Sequence, residues 1–279
     1  MDLSIQALVM GLVQGLTEFL PVSSSGHLIL VPWLFGWKDP FIDSLEFSVT
    51  LHMGTLLALL VYFWRDWAKL IPAGLASIRD RSLNGDPDRK MAWLLVVATI
   101  PAVIVGPLFN DTVESWVREP ARVALMMCVG AAILWLADRW GTKLREMDSL
   151  TFGGALGIGV AQVMALVPGI SRSGISISAG LVLGLTREAA ARFAFLMATP
   201  VVAGAGVWEA RKLLTHDAAA PSPSAHLVAI GFIAAATSGL LAIRFMLEFL
   251  KRRPVTVFVV YRVAAAVLVF IVLLSPHGA

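Results

Sequence analysis

Apolar runs of two lengths alternate along the chain. Ser44–Trp64, Met91–Phe109, Ala121–Ala137, Ala189–Ala210, Leu227–Phe249 and Val255–Leu274 approach the ~20 residues a helix needs to cross a bilayer. Leu3–Leu20 with Gly26–Trp37, and Thr151–Val167 with Gly174–Leu185, form two pairs of shorter runs, broken at Pro21 and at Pro168-Gly169. A short pair joined at a break fits a re-entrant hairpin better than two crossings, because irregular backbone at depth survives only under cover of protein or beside a cavity. The pattern predicts an all-α polytopic membrane protein of about six transmembrane helices plus two re-entrant helical hairpins, forming a single integral membrane domain over 1–279.

The polar segments between the runs orient them. Arg65 to Lys90 is the largest basic loop, carrying Arg65, Lys69, Arg79, Arg81, Arg89 and Lys90, and the positive-inside rule makes it cytoplasmic. Arg139, Lys143 and Arg145, and then Lys251-Arg252-Arg253, mark two further inner ends, while Asp111 to Arg122 connects outside. Both termini then lie outside, and one hairpin enters from each face. Ser23-Ser24-Ser25-Gly26 aligns with Ser171-Arg172-Ser173-Gly174, each after a proline and a glutamine, Gln14 or Gln162, and each before a span with Phe47 or Phe193 near its start. This predicts two inverted-topology repeats, about 1–138 and about 149–279, with the hairpin tips meeting at a polar site near the midplane.

The tips hold polar chemistry in an apolar setting. Gln14 to His27 reads Q-G-L-T-E-F-L-P-V-S-S-S-G-H. Gln14 and Glu18 lie one helical turn apart, Pro21 ends their helix, and the serine run caps a new one whose free N–H groups suit an anion such as phosphate. A serine run before a helix also serves as a plain cap, but Glu18 and His27 beside it add ionisable groups that hydrocarbon penalises by several kcal/mol. Pro168 to Gly174 reads P-G-I-S-R-S-G, where Arg172 supplies a planar charge matched to phosphate oxygens, or a partner that pairs with Glu18 and joins the hairpins. Glu18, Ser23, Ser24, Ser25 and His27 facing Ser171, Arg172, Ser173 and Gly174 supply acid/base group, nucleophile and anion clamp, the parts of phosphoryl transfer. Ser24 or Ser25 activated by His27, His27 attacking phosphorus itself, or a metal held by Glu18 activating water all remain open on residue types alone.

These two motifs, with F-x-x-x-x-H-M-G-T at Phe47 to Thr55 and Y-R at Tyr261-Arg262, closely resemble the bacterial undecaprenyl-pyrophosphate phosphatases of the bacitracin-resistance type. The resemblance covers essentially the whole chain. It implies an inner-membrane enzyme with an outward-facing site that removes one phosphate from a C55 polyprenyl pyrophosphate and so recycles the carrier for cell-wall precursors. It also implies dependence on a divalent cation such as Mg or Ca. Carried over by position, Glu18 is the metal or catalytic carboxylate, Arg172 the phosphate clamp, and Ser24 with His27 the nucleophile or base. Some members carry a carboxylate where this chain has Gln14, a weaker ligand for a hard cation, which puts a two-carboxylate cage in doubt.

Composition narrows the alternatives. At 58% hydrophobic and 15% charged, the chain cannot cover a soluble globule, and a net charge of +3 spread between apolar spans gives no support for nucleic-acid binding. The single cysteine, Cys128, excludes an intrachain disulfide and a cysteine metal cluster, and the N-terminus lacks a signal-peptide pattern, so Ile5 to Phe19 is expected to remain. His52 reads equally as a cavity or a packing residue. Arg244 and Arg262 read as side chains snorkelling to the basic face. His216, His226 and His277 read as solvated, Ala218 to Ala225 as a flexible outer loop, and the tryptophans as an interfacial belt. Small-residue stretches at Gly153 to Gly159 and Ala203 to Gly206 fit close helix packing and are compatible with a homodimer. The competing function is an inverted-repeat transporter or flippase of an anionic lipid, which would leave substrate chemistry unchanged.

Overall fold

The computed structural model describes residues 1–108, 118–215 and 224–275. Residues Phe109, Asp111, Glu114, His216 and His277, and the loop from Ala218 to Pro223, lie outside the described residues. Eleven α-helices follow one another among the described residues: α1 Leu3–Phe19, α2 Ser24–Phe35, α3 Leu45–Tyr62, α4 Trp64–Asp80, α5 Pro87–Val105, α6 Pro120–Trp140, α7 Phe152–Val163, α8 Arg172–Val182, α9 Arg187–Thr215, α10 Ala225–Arg252 and α11 Thr256–Leu274. Five described segments are long and apolar enough to cross a membrane, and α3 with α4 makes a sixth, bent by 80°. The chain is a multi-pass membrane protein.

The basic segment after α3 is not a loop throughout. Its first part is α4, whose buried Leu70, Ala73 and Ser77 recur at helical spacing. Its Asp66 accepts from Arg192 of α9 at 2.5 Å. Arg187, also on α9, clasps Asp138 at the end of α6 through two hydrogen bonds of 2.6 and 3.1 Å. These pairs tie the neighbouring ends of α4, α6 and α9 together.

Helices α1 and α2, and α7 and α8, are the short elements. The 17 residues of α1 rise about 25 Å, less than the ~30 Å hydrocarbon layer, so α1 ends inside the protein. Glycine lets α1 lie directly on α10: a Cβ on Gly11 would meet the Gly231 carbonyl at 2.5 Å, and one on Gly15 would enter the Ala235 carbonyl. The register, Gly11 to Gly231 and then Gly15 to Ala235, makes the two helices parallel. Helix α7 lies on α5 in the same manner, with Gly159 against Ala98. Phe47 and Phe193, at matching places in α3 and α9, are both buried.

Candidate active site

Both hairpins turn by the same local device. Pro21 and Pro168 lack the N–H that would continue a helix, and two residues after Pro21 and three after Pro168 a serine adopts positive φ, 78° at Ser23 and 77° at Ser171. A non-glycine residue in that region is strained and persists where the surroundings hold it. Here each serine hydroxyl caps the next helix, Ser23 Oγ accepting from the Gly26 N–H at 3.3 Å and Ser171 Oγ from the Gly174 N–H at 3.1 Å.

The tips meet. Ser23 Oγ also accepts from the Gly169 N–H at 3.1 Å, and Ser173 Oγ donates to the Leu20 carbonyl at 3.1 Å, so the second hairpin donates two hydrogen bonds to the first. Arg172 reaches across the same seam to pair with Glu18 Oε1. On the other carboxylate oxygen, Ser24 Oγ donates to Oε2 at 2.5 Å and Gln14 Nε2 donates at 3.1 Å. Glu18 is 6% exposed and holds a guanidinium, a hydroxyl and an amide at once.

A cavity of about 1010 Å³ opens against this seam, and Ser24, Ser25, Ser171 and Arg172 line it. Its walls include Leu28, Phe47, Leu51 and Trp208, apolar surface suited to a lipid chain beside a polar floor. The geometry therefore divides the residues expected at the site. Ser24, Ser25, Ser171 and Arg172 face the cavity. Ser23, Ser173 and Gly174 serve the junction between the tips, and Glu18 and Gln14 stand immediately behind Ser24.

His27 is occupied elsewhere. Its Nδ1 lies 2.7 Å from the Ser23 carbonyl and its Nε2 2.7 Å from the Tyr261 hydroxyl, so neither ring nitrogen meets Ser24 or Ser25. Among the cavity-facing serines, Ser24 has a carboxylate for its proton acceptor, and that acceptor is Glu18.

A family model described as Bacitracin resistance protein BacA matches residues 7–268. The chain belongs to the bacitracin resistance protein BacA family. Among curated BacA relatives, the undecaprenyl-diphosphatase of Desulforudis audaxviator (strain MP104C) is 43% identical over 269 residues, 96% of this chain and 97% of that protein. The undecaprenyl-diphosphatase of Moorella thermoacetica (strain ATCC 39073 / JCM 9320) is 43% identical over 266 residues, 95% and 96% of the two chains. That of Rubrobacter xylanophilus (strain DSM 9941 / JCM 11954 / NBRC 16129 / PRD-1) is 44% identical over 272 residues, 97% and 98%.

One residue of this BacA chain differs sharply from its expected place. Arg262, read as a snorkelling side chain, is 0% exposed. It donates to the Met127 carbonyl at 3.0 Å, to Pro21 at 3.3 Å, to Gly169 at 2.7 Å and to Ile170 at 2.9 Å, gripping α6 and both tips from α11. Gly130 leaves it room, since a Cβ there would enter the guanidinium. The usable signal was the polar pair Tyr261-Arg262 inside an apolar run, and both members reach the tips. Arg244, by contrast, is exposed beside the basic helix end, as a snorkelling residue should be. His52 lines the cavity.

No group of three or more His, Cys, Asp or Glu gathers among the described residues. Gln14 Oε1 is buried without a hydrogen-bond partner, an acceptor next to the Glu18 carboxylate. One carboxylate and one amide oxygen fit a hard cation when phosphate oxygens complete its shell.

Proposed function

We infer that this BacA chain is an undecaprenyl-diphosphatase, a membrane hydrolase that converts the C55 polyprenyl diphosphate to the monophosphate and phosphate. In that role it returns the carrier to cell-wall synthesis and confers bacitracin resistance. The observation that carries the reading is the Ser24 hydroxyl held on Glu18 at 2.5 Å, at the edge of a cavity that Arg172 also lines. A nucleophile, its base and an anion clamp at one seam supply phosphoryl transfer with few further parts.

In the mechanism we propose, the terminal phosphate displaces Arg172 from Glu18, and the guanidinium turns its planar fork onto phosphate oxygens. Ser24 Oγ attacks the terminal phosphorus and passes its proton to Glu18 Oε2. The bond to the bridging oxygen breaks, and undecaprenyl phosphate leaves with both electrons. Water then attacks the phosphoserine, the bond from phosphorus to Ser24 Oγ breaks, Glu18 returns its proton to Ser24 Oγ, and both of the water's protons depart with inorganic phosphate. Ser25 and Ser171 donate to phosphate oxygens, and the N-termini of α2 and α8 add N–H groups with positive helix ends. Ser23, Ser173 and Gly174 hold the tips in register, and His27 fixes the first tip to Tyr261. Glu18 and Gln14 Oε1 would hold a divalent cation such as Mg or Ca, whose charge would offset that of the two phosphates.

We place the protein in the bacterial inner membrane. The basic residues of α4 and of the ends of α6, α9 and α10 support an inward assignment for one face. The cavity's lining includes Asp43, Ser44, Pro107 and Trp208, on the side of the helices opposite the basic ends, which supports an opening to the outer face. Parallel packing of α1 on α10 supports an outer N-terminus, and α11, starting at the inner end, an outer C-terminus. Matched tips and matched helix pairs, α1 on α10 and α7 on α5, support two inverted repeats. Exposed Gly153 and Gly157, one turn apart on α7 with open space beside them, support a homodimer contact.

The test is phosphate release from undecaprenyl diphosphate by purified wild type, Glu18→Gln and Arg172→Ala in detergent, with and without chelator. The reading predicts cation-dependent release by wild type and loss in both folded variants. A wild type that is inert with added cation, yet moves the lipid across liposomes, would replace it with a flippase.

A further inference from the structure

The two hairpins carry a glutamine at equivalent places, but only one has a partner. Gln14 donates to Glu18 one turn ahead of it. Four residues beyond Gln162 stands Leu166, so the second hairpin has no carboxylate there. Gln162 is 3% exposed, and neither its Nε2 nor its Oε1 has a hydrogen-bond partner. A buried amide with both ends unpaired costs stability that any apolar side chain of the same length would spare. This amide lines the same cavity as Ser24 and Arg172.

Position specifies what it would meet. Helix α7 runs toward the second tip, and Gln162 stands one turn, about 6 Å, before the level that Glu18 occupies in the first hairpin. It is therefore set back from the tip seam, where a second phosphate group can lie between the seam and the amide. His52 lines the cavity too, with Nδ1 on the Ser48 carbonyl at 2.8 Å and no hydrogen bond from Nε2 to a described residue. The cavity thus offers, in Gln162, a buried amide with neither end paired beside the serines and Arg172.

We propose that Gln162 is a specificity-determining residue, whose amide N–H groups bind the phosphate that remains on the lipid and so select a lipid diphosphate. The proposal rests on the phosphatase reading above. It separates two phosphate subsites: Ser24, Ser171 and Arg172 hold the terminal phosphate, and Gln162 holds the inner one. Undecaprenyl phosphate as product keeps the Gln162 contact, and inorganic phosphate as product does not.

The experiment compares wild type, Gln162→Met and Gln162→Glu, purified in detergent. Gln162→Met keeps length and removes both polar atoms; Gln162→Glu keeps shape and replaces the donors with acceptors. The readouts are KM and kcat for undecaprenyl diphosphate, the inhibition constants of undecaprenyl phosphate and of inorganic phosphate, and the thermal midpoint. The proposal predicts that Gln162→Met raises KM and the inhibition constant of undecaprenyl phosphate by about tenfold, the worth of one hydrogen bond to a charged group. Gln162→Glu raises both further. The inhibition constant of inorganic phosphate stays at the wild-type value, and the Gln162→Met midpoint does not fall. Unchanged inhibition by undecaprenyl phosphate in both variants, or equal weakening of the two products, would overturn the role of Gln162 while an active wild type leaves the phosphatase reading standing. A wild type without phosphatase activity would overturn both.

Discussion

Replacing Arg262 should loosen both hairpin tips at once. Its guanidinium donates to carbonyls on three different elements, and the Pro21, Gly169 and Ile170 carbonyls receive no backbone hydrogen bond to replace it. In Arg262→Met the side chain still fills much of the space, but these three acceptors are left dry. At about 1–3 kcal/mol for each buried unsatisfied group, reduced by relaxation and by water entering from the cavity, the loss is about 3–5 kcal/mol. For a chain of this size that shifts the thermal midpoint by roughly 10 °C. Arg262→Lys keeps the charge but offers a point donor in place of a fork, and should lose about half as much. The assay is thermal unfolding in detergent followed by tryptophan fluorescence, with phosphate release measured well below both midpoints. Activity should fall mainly through kcat, because Ser24 and Arg172 sit on opposite tips and their alignment depends on the staple. A midpoint within about 2 °C of wild type, with kcat unchanged, would refute the reasoning.

Gly130→Ala should mimic that loss, since its Cβ would enter the Arg262 guanidinium and meet the Ile170 carbonyl at 2.6 Å; a lowered midpoint and reduced kcat check it. Ser23→Ala removes the acceptor for two backbone N–H groups, Gly26 and Gly169, and should lower stability by about 2 kcal/mol, read as a shifted midpoint, because a helix cap and a tip-to-tip bond go together. Asp138→Asn breaks the Arg187 clasp at the basic face and should cost about 1–2 kcal/mol in unfolding measurements while leaving KM for the lipid unchanged. Chelation should abolish phosphate release, and Gln14→Glu, which adds a second carboxylate, should lower the concentration of cation needed to restore it.

The hairpins were legible because their signals are local. Pro21 and Pro168 mark breaks, short apolar runs flank them, and the Ser-x-Ser-Gly repeats align by eye. The pairing of Arg172 with Glu18 was legible as one of two roles, since a lone buried charge asks for a partner. Arg262 was not, because its partners are backbone carbonyls, which carry no residue signature, and a single arginine near a basic helix end has an ordinary explanation at hand. Helix α4 was hidden by its charges, although the spacing of Leu70, Ala73 and Ser77 was there to be counted. The base for Ser24 was hidden for another reason. Sequence proximity favours His27, three residues away, whereas helix geometry turns that imidazole toward Tyr261 and brings Glu18 back across the break.

The most direct test of the Ser24–Glu18 assignment is a rapid-quench experiment. Purified protein is mixed with undecaprenyl diphosphate labelled on its terminal phosphate, quenched within one turnover, and digested for mass spectrometry. The account predicts transient phosphate on Ser24, with Glu18→Gln forming it far more slowly and Ser24→Ala forming none and releasing no phosphate. Full turnover in Ser24→Ala, or label appearing on His27 instead, would contradict it.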